Sequence, residues 1–232
     1  MIQSNIEPPD ILYEDNHIII VNKRAGEIVQ GDNTGDEPLS IKIANHIAVR
    51  DSKPRNAFIG VPHRLDRPVS GIALFAKTSK ALERMNTLFR NGEVEKIYWA
   101  IVANKPNPSS GELRHFIVRN QEQNKSYAYD VPKEGSKEAI LKYRLLSSGE
   151  RYHLLEILLL TGRHHQIRCQ LSKIGSPIKG DLKYGFPRSN PDGGISLHAR
   201  SIRFKHPVKG DEVYVEAPVP NDNLWRALTQ TL

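Results

Sequence analysis

Cysteine is nearly absent from this chain, since Cys169 is the single one among 232 residues. One thiol cannot build a disulfide framework or a multi-thiolate zinc site, and it favours a reducing compartment. Long hydrophobic runs are missing too, because the run from Leu154 to Leu160 is interrupted by Glu156 and is far shorter than the roughly 20 apolar residues of a membrane span. The polar amino terminus lacks the basic and apolar regions of a secretory signal. A soluble cytoplasmic protein without membrane association is therefore expected.

Several common nucleotide-binding and catalytic motifs are also absent. The sequence has no Walker-type glycine loop, no dinucleotide fingerprint, no GxSxG elbow and no RRM-like aromatic signature. His164 and His165 stand side by side, but adjacent helical positions do not share a face and no third ligand follows at a zinc-like spacing. The sequence therefore predicts neither a metal site nor a cofactor.

Positive charge is in excess and is unevenly distributed. The chain has 33 Lys and Arg against 26 Asp and Glu, a formal net charge of +7 and a pI near 9.4, which favours a polyanionic partner. Residues 161–190 alone hold six of these cations and one acid, Asp181. This stretch is either a solvated basic face or a surface that contacts phosphates.

The composition, with 38% hydrophobic and 25% charged residues, is that of a globular chain. Strands and helices are mixed without strict alternation, which predicts an α/β fold of the α+β type, with a mixed, mainly antiparallel sheet flanked by a few helices. We expect one domain over 1–232, with the exposed loop from Pro106 to Ser110 marking a seam between two subdomains near 103–111. The predicted strands are His17 to Val21, Gly71 to Lys77, Glu95 to Val102, Ala139 to Leu146 and Tyr152 to Leu160.

Two helices have clear boundary signals. Ser79 is predicted to cap a helix that runs to about Asn91 and stops at Gly92. A second helix follows Thr161 and Gly162 and ends at Gly175. In this second helix Ile167, Leu171 and Ile174 share an apolar face, while His164, Arg168 and Ser172 are expected to form a basic row beside it.

Asp66 is the most suggestive single residue, because Arg64 and Arg67 flank it and Pro68 places it in a turn. Neighbouring guanidinium groups favour the ionised carboxylate, which suits a nucleophile or an electrostatic stabiliser better than a general acid. On chemistry alone, a surface ion pair that holds a loop is the more common explanation.

Two further segments carry polar side chains at the edge of apolar strands. Thr161 to Arg168 joins a buried strand to an amphipathic helix, and its Arg and His donors suit an anion-binding helix start. In the strand Glu95 to Val102, alternation places Lys96 and Tyr98 on one face. A core tyrosine with a satisfied hydroxyl is the ordinary explanation for Tyr98, and a catalytic or base-stacking role is the alternative.

The chain resembles the RluA family of RNA pseudouridine synthases over nearly its whole length. Asp66 lies in the segment that is most similar to the family signature, and further similar segments follow in the family's order. The matching segments are Tyr13-Glu14-Asp15, Asn22-Lys23 with Gly26, His63-Arg64-Leu65-Asp66-Arg67, Ser70-Gly71, Phe75-Ala76-Lys77-Thr78, Lys96-Ile97-Tyr98, Thr161-Gly162-Arg163, His165-Gln166-Ile167-Arg168, Gly180-Asp181, Tyr184-Gly185, Leu197-His198-Ala199, Phe204, His206-Pro207 and Ala217-Pro218.

The resemblance implies the pseudouridine synthase fold and an isomerase that cleaves the glycosidic bond of a uridine in RNA and rejoins the base to the same ribose through C5. It implies that Asp66 is the catalytic aspartate, that Tyr98 stacks on the uracil, and that Arg168 forms a salt bridge with Asp66. Whether Asp66 attacks C1′ or assists elimination to a glycal stays open.

The resemblance also implies substrate-binding residues, of which Arg64 is expected to enter the RNA stack where the target nucleotide is flipped out. The other expected substrate-binding residues are His63, Arg67, Arg163 and His165. The partner is expected to be ribosomal or transfer RNA, bound by a monomer without a cofactor.

The sequence departs from the family pattern at Arg24, where proline is usual, and at His164, where Thr or Ser is usual. We expect these differences to affect substrate preference before activity. No S4-type RNA-binding domain is expected before Tyr13. Two other functions stay open at this point: a catalytically silent RNA-binding module, and a glycoside or nucleoside hydrolase, which would normally require a second carboxylate near Asp66.

Overall fold

The computed structural model describes residues 8–32, 35–52, 57–230 and 232. In these ranges the chain forms strands, α-helices and one short 3-10 helix, Leu182–Tyr184. The strands are β1 Ile11–Glu14, β2 Ile18–Lys23, β3 Ser70–Ala76, β4 Glu95–Val102, β5 Ser110–Asn120, β6 Lys125–Tyr129, β7 Lys137–Ser148, β8 His153–Leu159, β9 Leu197–Lys205 and β10 Glu212–Glu216. The α-helices are α1 Leu39–Arg50, α2 Ser79–Asn91, α3 Gln166–Lys173 and α4 Asn223–Thr229.

All ten described strands belong to one sheet, in the order β1-β2-β3-β9-β4-β8-β7-β5-β6, with β10 paired to β9. Strands β3 and β9 run parallel, and the other described pairings are antiparallel. The predicted mixed, mainly antiparallel α+β fold is thus confirmed. No described helix is both long enough and apolar enough to cross a bilayer.

The predicted elements are recovered because their signals are local. Strand β4 and helix α2 have the bounds expected from the sequence, and Gly92 ends α2 with a left-handed φ of 73°. Ser79 is not the cap of α2, however. The Thr78 hydroxyl accepts the backbone N–H of Ala81 at 3.1 Å, so the cap lies one residue earlier than expected.

The predicted seam near 103–111 coincides with the loop that links β4 to β5 and with the first residues of β5. The sheet is continuous from β4 through β8 and β7 to β5. A division into two subdomains stays a prediction.

Strand β9 lies in the middle of the sheet, between β3 and β4, although it comes late in the sequence. Its start packs against the start of β3, where Ser70 and Gly71 pair with His198 and Ala199. Gly71 has a φ of 102°, and a Cβ added there would overlap the backbone of Ala199. This close approach fixes the end of β3 that follows the Asp66 turn.

Candidate active site

Asp66 lies in the turn that leads into β3 and is held there by backbone contacts. Its carbonyl oxygen accepts the N–H of Val69 at 3.0 Å, and the carbonyl oxygen of Pro68 accepts the N–H of Ile195, also at 3.0 Å. Leu65 is buried beside it, whereas the Asp66 side chain is 28% exposed. The turn therefore presents a carboxylate at the surface from a fixed backbone.

Lys23, at the end of β2, anchors the same turn from inside the protein. The side chain is fully buried, and its ammonium group donates to the carbonyl oxygens of Val69 at 2.7 Å, Arg67 at 3.0 Å and Arg24 at 2.9 Å. Burial lowers the pKa of Lys23 to about 7, while the nearby charges of Glu27 and Asp66 favour the ammonium form.

Arg168, in the first turn of α3, joins Asp66 to a second carboxylate. One Nη donates to Asp66 Oδ2 at 3.0 Å, while Nε and the other Nη donate to the two oxygens of Asp181 at 2.7 and 2.9 Å. The Arg168 side chain is 5% exposed, and despite this burial the two carboxylates raise its pKa above the ordinary value. The guanidinium group is therefore a permanent cation that is hydrogen-bonded to both carboxylates.

The expected pairing of Asp66 with Arg168 is present in the structure, but the expected basic row on α3 is wrong. His164 lies in the turn before the helix, and Arg168 points into the protein. The helix begins at Gln166, so the spacing of four residues from His164 to Arg168 does not place them on one helical face.

Tyr98 projects from β4 and is 8% exposed. Burial, followed by the charge of Asp66, raises its pKa above the ordinary value. Tyr98 is therefore a neutral phenol close enough to Asp66 to feel its charge.

The three arginines among the expected substrate-binding residues differ in their exposure and in their contacts. Arg64 and Arg163 are exposed, and Arg163 Nε donates to the carbonyl oxygen of Glu138 at 2.9 Å. Arg67 forms ion pairs with Asp36 at 2.6 Å and Asp32 at 3.4 Å. These contacts link Arg67 to the segment before α1.

His63 is partly buried and has structural contacts. Its Nε2 accepts the N–H of Leu74 at 2.9 Å, and its ring stacks on Phe89 at 4.9 Å between centroids. Burial lowers the pKa of His63 to about 3, and the nearby Lys96 acts in the same direction. A direct contact of His63 with RNA stays a prediction.

His165 is 8% exposed and lies behind the Asp66 carboxylate, with Nε2 3.6 Å from Asp66 Oδ2. Its Nδ1 lies 2.9 Å from the hydroxyl oxygen of Tyr184, which is 4% exposed. Its ring stacks on that of His164 at 3.8 Å between centroids.

Sequence reasoning gave no role to Lys23, Asp181 or Tyr184, although all three lie in the matching segments. The pairs Gly180-Asp181 and Tyr184-Gly185 are the signal that could have identified the last two. The sequence pattern does not show which residue each of them contacts. Arg168, for example, is 13 residues from Asp181 and 102 residues from Asp66 in sequence.

Comparison with known proteins agrees with this geometry. Residues 17–173 match the family described as RNA pseudouridylate synthase. The chain is 34% identical to an RNA pseudouridine synthase of Chlorobaculum parvum, over 93% of this chain and 72% of that protein. It is also 34% identical to the ribosomal large subunit pseudouridine synthase D of Xylella fastidiosa, over 93% of this chain and 67% of that protein.

Solved structures show the same fold. The human protein RNA pseudouridylate synthase domain containing 4 superposes with a TM-score of 0.73 and 25% identity, covering 91% of this chain and 88% of that one. The human protein RNA pseudouridylate synthase domain containing 1 gives a TM-score of 0.74 at 23% identity, covering 98% and 90%. The chain therefore belongs to the RNA pseudouridylate synthase family, whose members isomerise uridine in RNA to pseudouridine.

Proposed function

We propose that this protein converts uridines of large-subunit ribosomal RNA to pseudouridine, with Asp66 as the catalytic carboxylate. The observation that carries the proposal is the Asp66 carboxylate itself, partly exposed and bound through one oxygen to the buried cation Arg168. The choice of ribosomal RNA is supported by relatives named ribosomal large subunit pseudouridine synthase D and C. Transfer RNA is the alternative substrate.

The geometry leaves one oxygen of Asp66 available for reaction. Oδ2 accepts from Arg168, whereas Oδ1 has no hydrogen-bond partner among the described residues. An ionised oxygen of this kind can attack C1′ of the ribose, or stabilise the charge that develops there as the bond to N1 breaks. Either route then requires rotation of the uracil, formation of the C5–C1′ bond, loss of the C5 proton and gain of a proton at N1; in the attack route the bond between Asp66 and C1′ breaks as the C5–C1′ bond forms.

The surrounding residues suit a flipped nucleotide. Tyr98 offers an aromatic face for the uracil, and Arg64 is exposed on the same turn as Asp66, where it can fill the gap left in the RNA. We assign Arg67 and Arg163 to RNA backbone contacts that strengthen binding without reading the base.

Hydrolysis of a glycosidic bond is disfavoured by the position of the second carboxylate. Asp181 is 1% exposed, and both of its oxygens accept from Arg168. A hydrolase needs its second carboxylate in contact with the water or the leaving group. Asp181 supports Arg168 and does not face the substrate.

The test compares the wild-type protein with Asp66→Asn on protein-free ribosomal RNA and transfer RNA, followed by mapping of pseudouridine. Asn keeps the size of the side chain and removes the charge, so we expect turnover to fall by at least roughly a thousandfold with little loss of RNA affinity. Asp130→Asn is the matched control, because Asp130 is 73% exposed and pairs with Lys173.

Equal pseudouridine formation by wild type and Asp66→Asn would refute the role of Asp66, and release of free uracil would indicate hydrolysis. Modification of transfer RNA alone would show that transfer RNA, and not ribosomal RNA, is the substrate.

We also propose a monomeric cytoplasmic enzyme without membrane association. Light scattering tests the monomeric state, and cell fractionation tests the location.

A further inference from the structure

A line of polar groups runs from the sheet to the back of the Asp66 carboxylate. The backbone N–H of Ser126, in β6, donates to the Tyr184 hydroxyl oxygen at 2.8 Å. That hydroxyl lies 2.9 Å from His165 Nδ1, and His165 Nε2 lies 3.6 Å from Asp66 Oδ2. The groups that precede Asp66 in this line, those of Ser126, Tyr184 and His165, are all buried protein groups, so the line forms without a substrate.

The line fixes where the hydrogen of the imidazole lies. Tyr184 receives the N–H of Ser126, so its own single hydrogen needs an acceptor. Among the residues that the structure describes, His165 Nδ1 is the acceptor within hydrogen-bond distance of this hydroxyl. Tyr184 is 4% exposed, which leaves bulk water without access to compete. Tyr184 therefore donates to Nδ1, and the neutral ring carries its hydrogen on Nε2.

The ring is held in this orientation from two further directions. His164 stacks on His165 at 3.8 Å with 21° between the ring planes, and His164 Nδ1 lies 2.8 Å from the hydroxyl oxygen of Ser126. His165 itself has a left-handed φ of 54°, which non-glycine residues adopt rarely. Ser126 thus supports the His165 ring in two ways, through its backbone N–H to Tyr184 and through its hydroxyl to His164.

We propose that His165 is a positioning residue whose Nε2–H, set by the Tyr184 hydroxyl, holds Oδ2 of Asp66 against Arg168 and leaves Oδ1 to the ribose. Two donors then converge on the same carboxylate oxygen, and rotation of the carboxylate about its Cβ–Cγ bond is restricted. The 3.6 Å separation is longer than a hydrogen bond and closes when RNA excludes water from the site. The proposal rests on the role of Asp66 proposed above.

The charge state of His165 is consistent with this role. Burial, followed by the neighbouring Arg168 and His164, lowers its pKa to about 2. His165 is therefore neutral at physiological pH and has a single ring hydrogen to place. A neutral donor orients the carboxylate without adding a second full charge beside Arg168.

The first experiment reads the hydrogen position directly in the wild-type protein. Side-chain ¹⁵N NMR distinguishes a protonated Nε2 from a protonated Nδ1, and the His165 signals are assigned as those that vanish in His165→Asn. We expect the Nε2–H form at pH 7, and a mixture of the two forms in Tyr184→Phe, which lacks the hydroxyl. A wild-type ring with its hydrogen on Nδ1 would overturn the proposal, whether or not any variant folds.

The second experiment compares His165→Asn with His165→Gln. Asn tolerates the left-handed backbone and reaches only to the position of Nδ1, whereas a Gln amide reaches to the position of Nε2 and can donate to Asp66. We expect His165→Asn to lower kcat by roughly tenfold to a hundredfold, as for loss of one hydrogen bond to a charged group, with KM nearly unchanged. His165→Gln is expected to recover a large part of this loss.

A purely structural role predicts another pattern, in which kcat follows thermal stability and Gln, which tolerates the backbone less well, is no better than Asn. That pattern, or wild-type kcat in His165→Asn, would refute the positioning role. A wild-type protein that forms no pseudouridine would refute the proposed function instead, and the NMR result would still report on the hydrogen position.

Discussion

Lys23 shows how a single buried side chain can hold the turn of a carboxylate, Asp66, that is 43 residues away in sequence. Its ammonium group binds three carbonyl oxygens around the turn of Asp66, and it is fully buried. A buried cation is costly unless its hydrogen bonds are satisfied, and all three of its donors are used here. The residue therefore couples the stability of the fold to the geometry of the active site.

Replacement of Lys23 by Met should destabilise the protein by roughly 2 to 4 kcal/mol, because three carbonyl oxygens lose their donor in a buried site. The turn that carries Asp66 loosens, so kcat is expected to fall as well. Urea denaturation and turnover measure the two effects. A variant with normal stability and normal turnover would show that Lys23 does not hold the turn.

Because burial lowers the pKa of Lys23, the stability of the folded protein is expected to depend on pH. Its pKa in the folded protein is lowered to about 7, whereas in the unfolded chain it is near its ordinary value of 10.5. Between these values the unfolded chain binds more protons, so wild-type stability relative to Lys23→Met rises with pH across this window. Below about pH 7 the full cost of burying the ammonium is present. Urea titrations at several pH values test this, and a constant difference would contradict it.

At the scale of single residues, the pairing of Asp66 with Arg168 could be predicted because both lie in segments that resemble one family. The contacts of Asp181, Tyr184 and Lys23 could not be predicted, since each residue binds a partner that only the folded sheet brings near. His165 is an example of the same limit. Its contacts with Tyr184 and Asp66 arise from the fold, and its expected contact with the substrate stays a prediction.

At the scale of elements, the approach of β3 to β9 depends on one glycine. Gly71 has a φ of 102°, and a Cβ there would lie 2.7 Å from the backbone nitrogen of Ala199. Backbone atoms cannot yield as a flexible side chain can. Any side chain at this position must push the two strands apart, and the turn of Asp66 precedes β3 directly.

Gly71→Ala should therefore cost at least about 3 kcal/mol of stability and most of the activity, since it adds an overlap to an unfavourable backbone conformation. Gly92→Ala is the matched control, because Gly92 also has a left-handed φ but nothing lies within 4 Å of an added Cβ. We expect the control to cost about 1 kcal/mol and to leave activity unchanged. Equal losses in the two variants, measured by thermal denaturation, would contradict the importance of the close approach.

Elements with strong local signals were predictable, and those that depend on distant pairing were not. Helix α2 has a polar cap, an apolar face and a terminal glycine, and β4 has a continuous β-branched and aromatic pattern. Sequence patterns predict no separate strands at β5, β6, β9 and β10; β10 alternates between buried and exposed positions, whereas β9 is buried along most of its length. Helix α1 also went unrecognised, since its cap position is Pro38 without a side-chain hydrogen bond.

At the scale of the whole molecule, two exposed cations from separate parts of the chain lie near the candidate site. Arg119 and Lys183 are exposed and close enough to lower the pKa of His164, after burial itself. Lys183 also donates to the carbonyl oxygen of Asn124 in the β5–β6 turn, at 3.0 Å. Of the cations in residues 161–190, Arg168 is buried and satisfied by carboxylates, so the surface charge comes from the others.

RNA affinity should therefore fall steeply with salt, and Lys183→Gln or Arg119→Gln should each reduce the slope of log Kd against log salt by roughly 0.7 to 0.9, as for one lost phosphate contact. Lys205→Gln is the control, since Lys205 ends β9, roughly 20 Å along the strand from the residues that pair with β3. Fluorescence anisotropy with labelled RNA measures the slopes. Unchanged slopes in both variants would exclude this surface from RNA binding.

The central position of β9 has a consequence for the order in which the enzyme becomes active during its own synthesis. The strands before it form two groups, β1 to β3 and β4 to β8, and β9 is the strand that joins them within the sheet. Asp66 belongs to the first group and Arg168 follows the last strand of the second. A nascent chain therefore cannot assemble the complete sheet around this pair until residues 197–205 have left the ribosome. The geometry around Asp66 and Arg168 is therefore completed only after both groups of strands and β9 have been made.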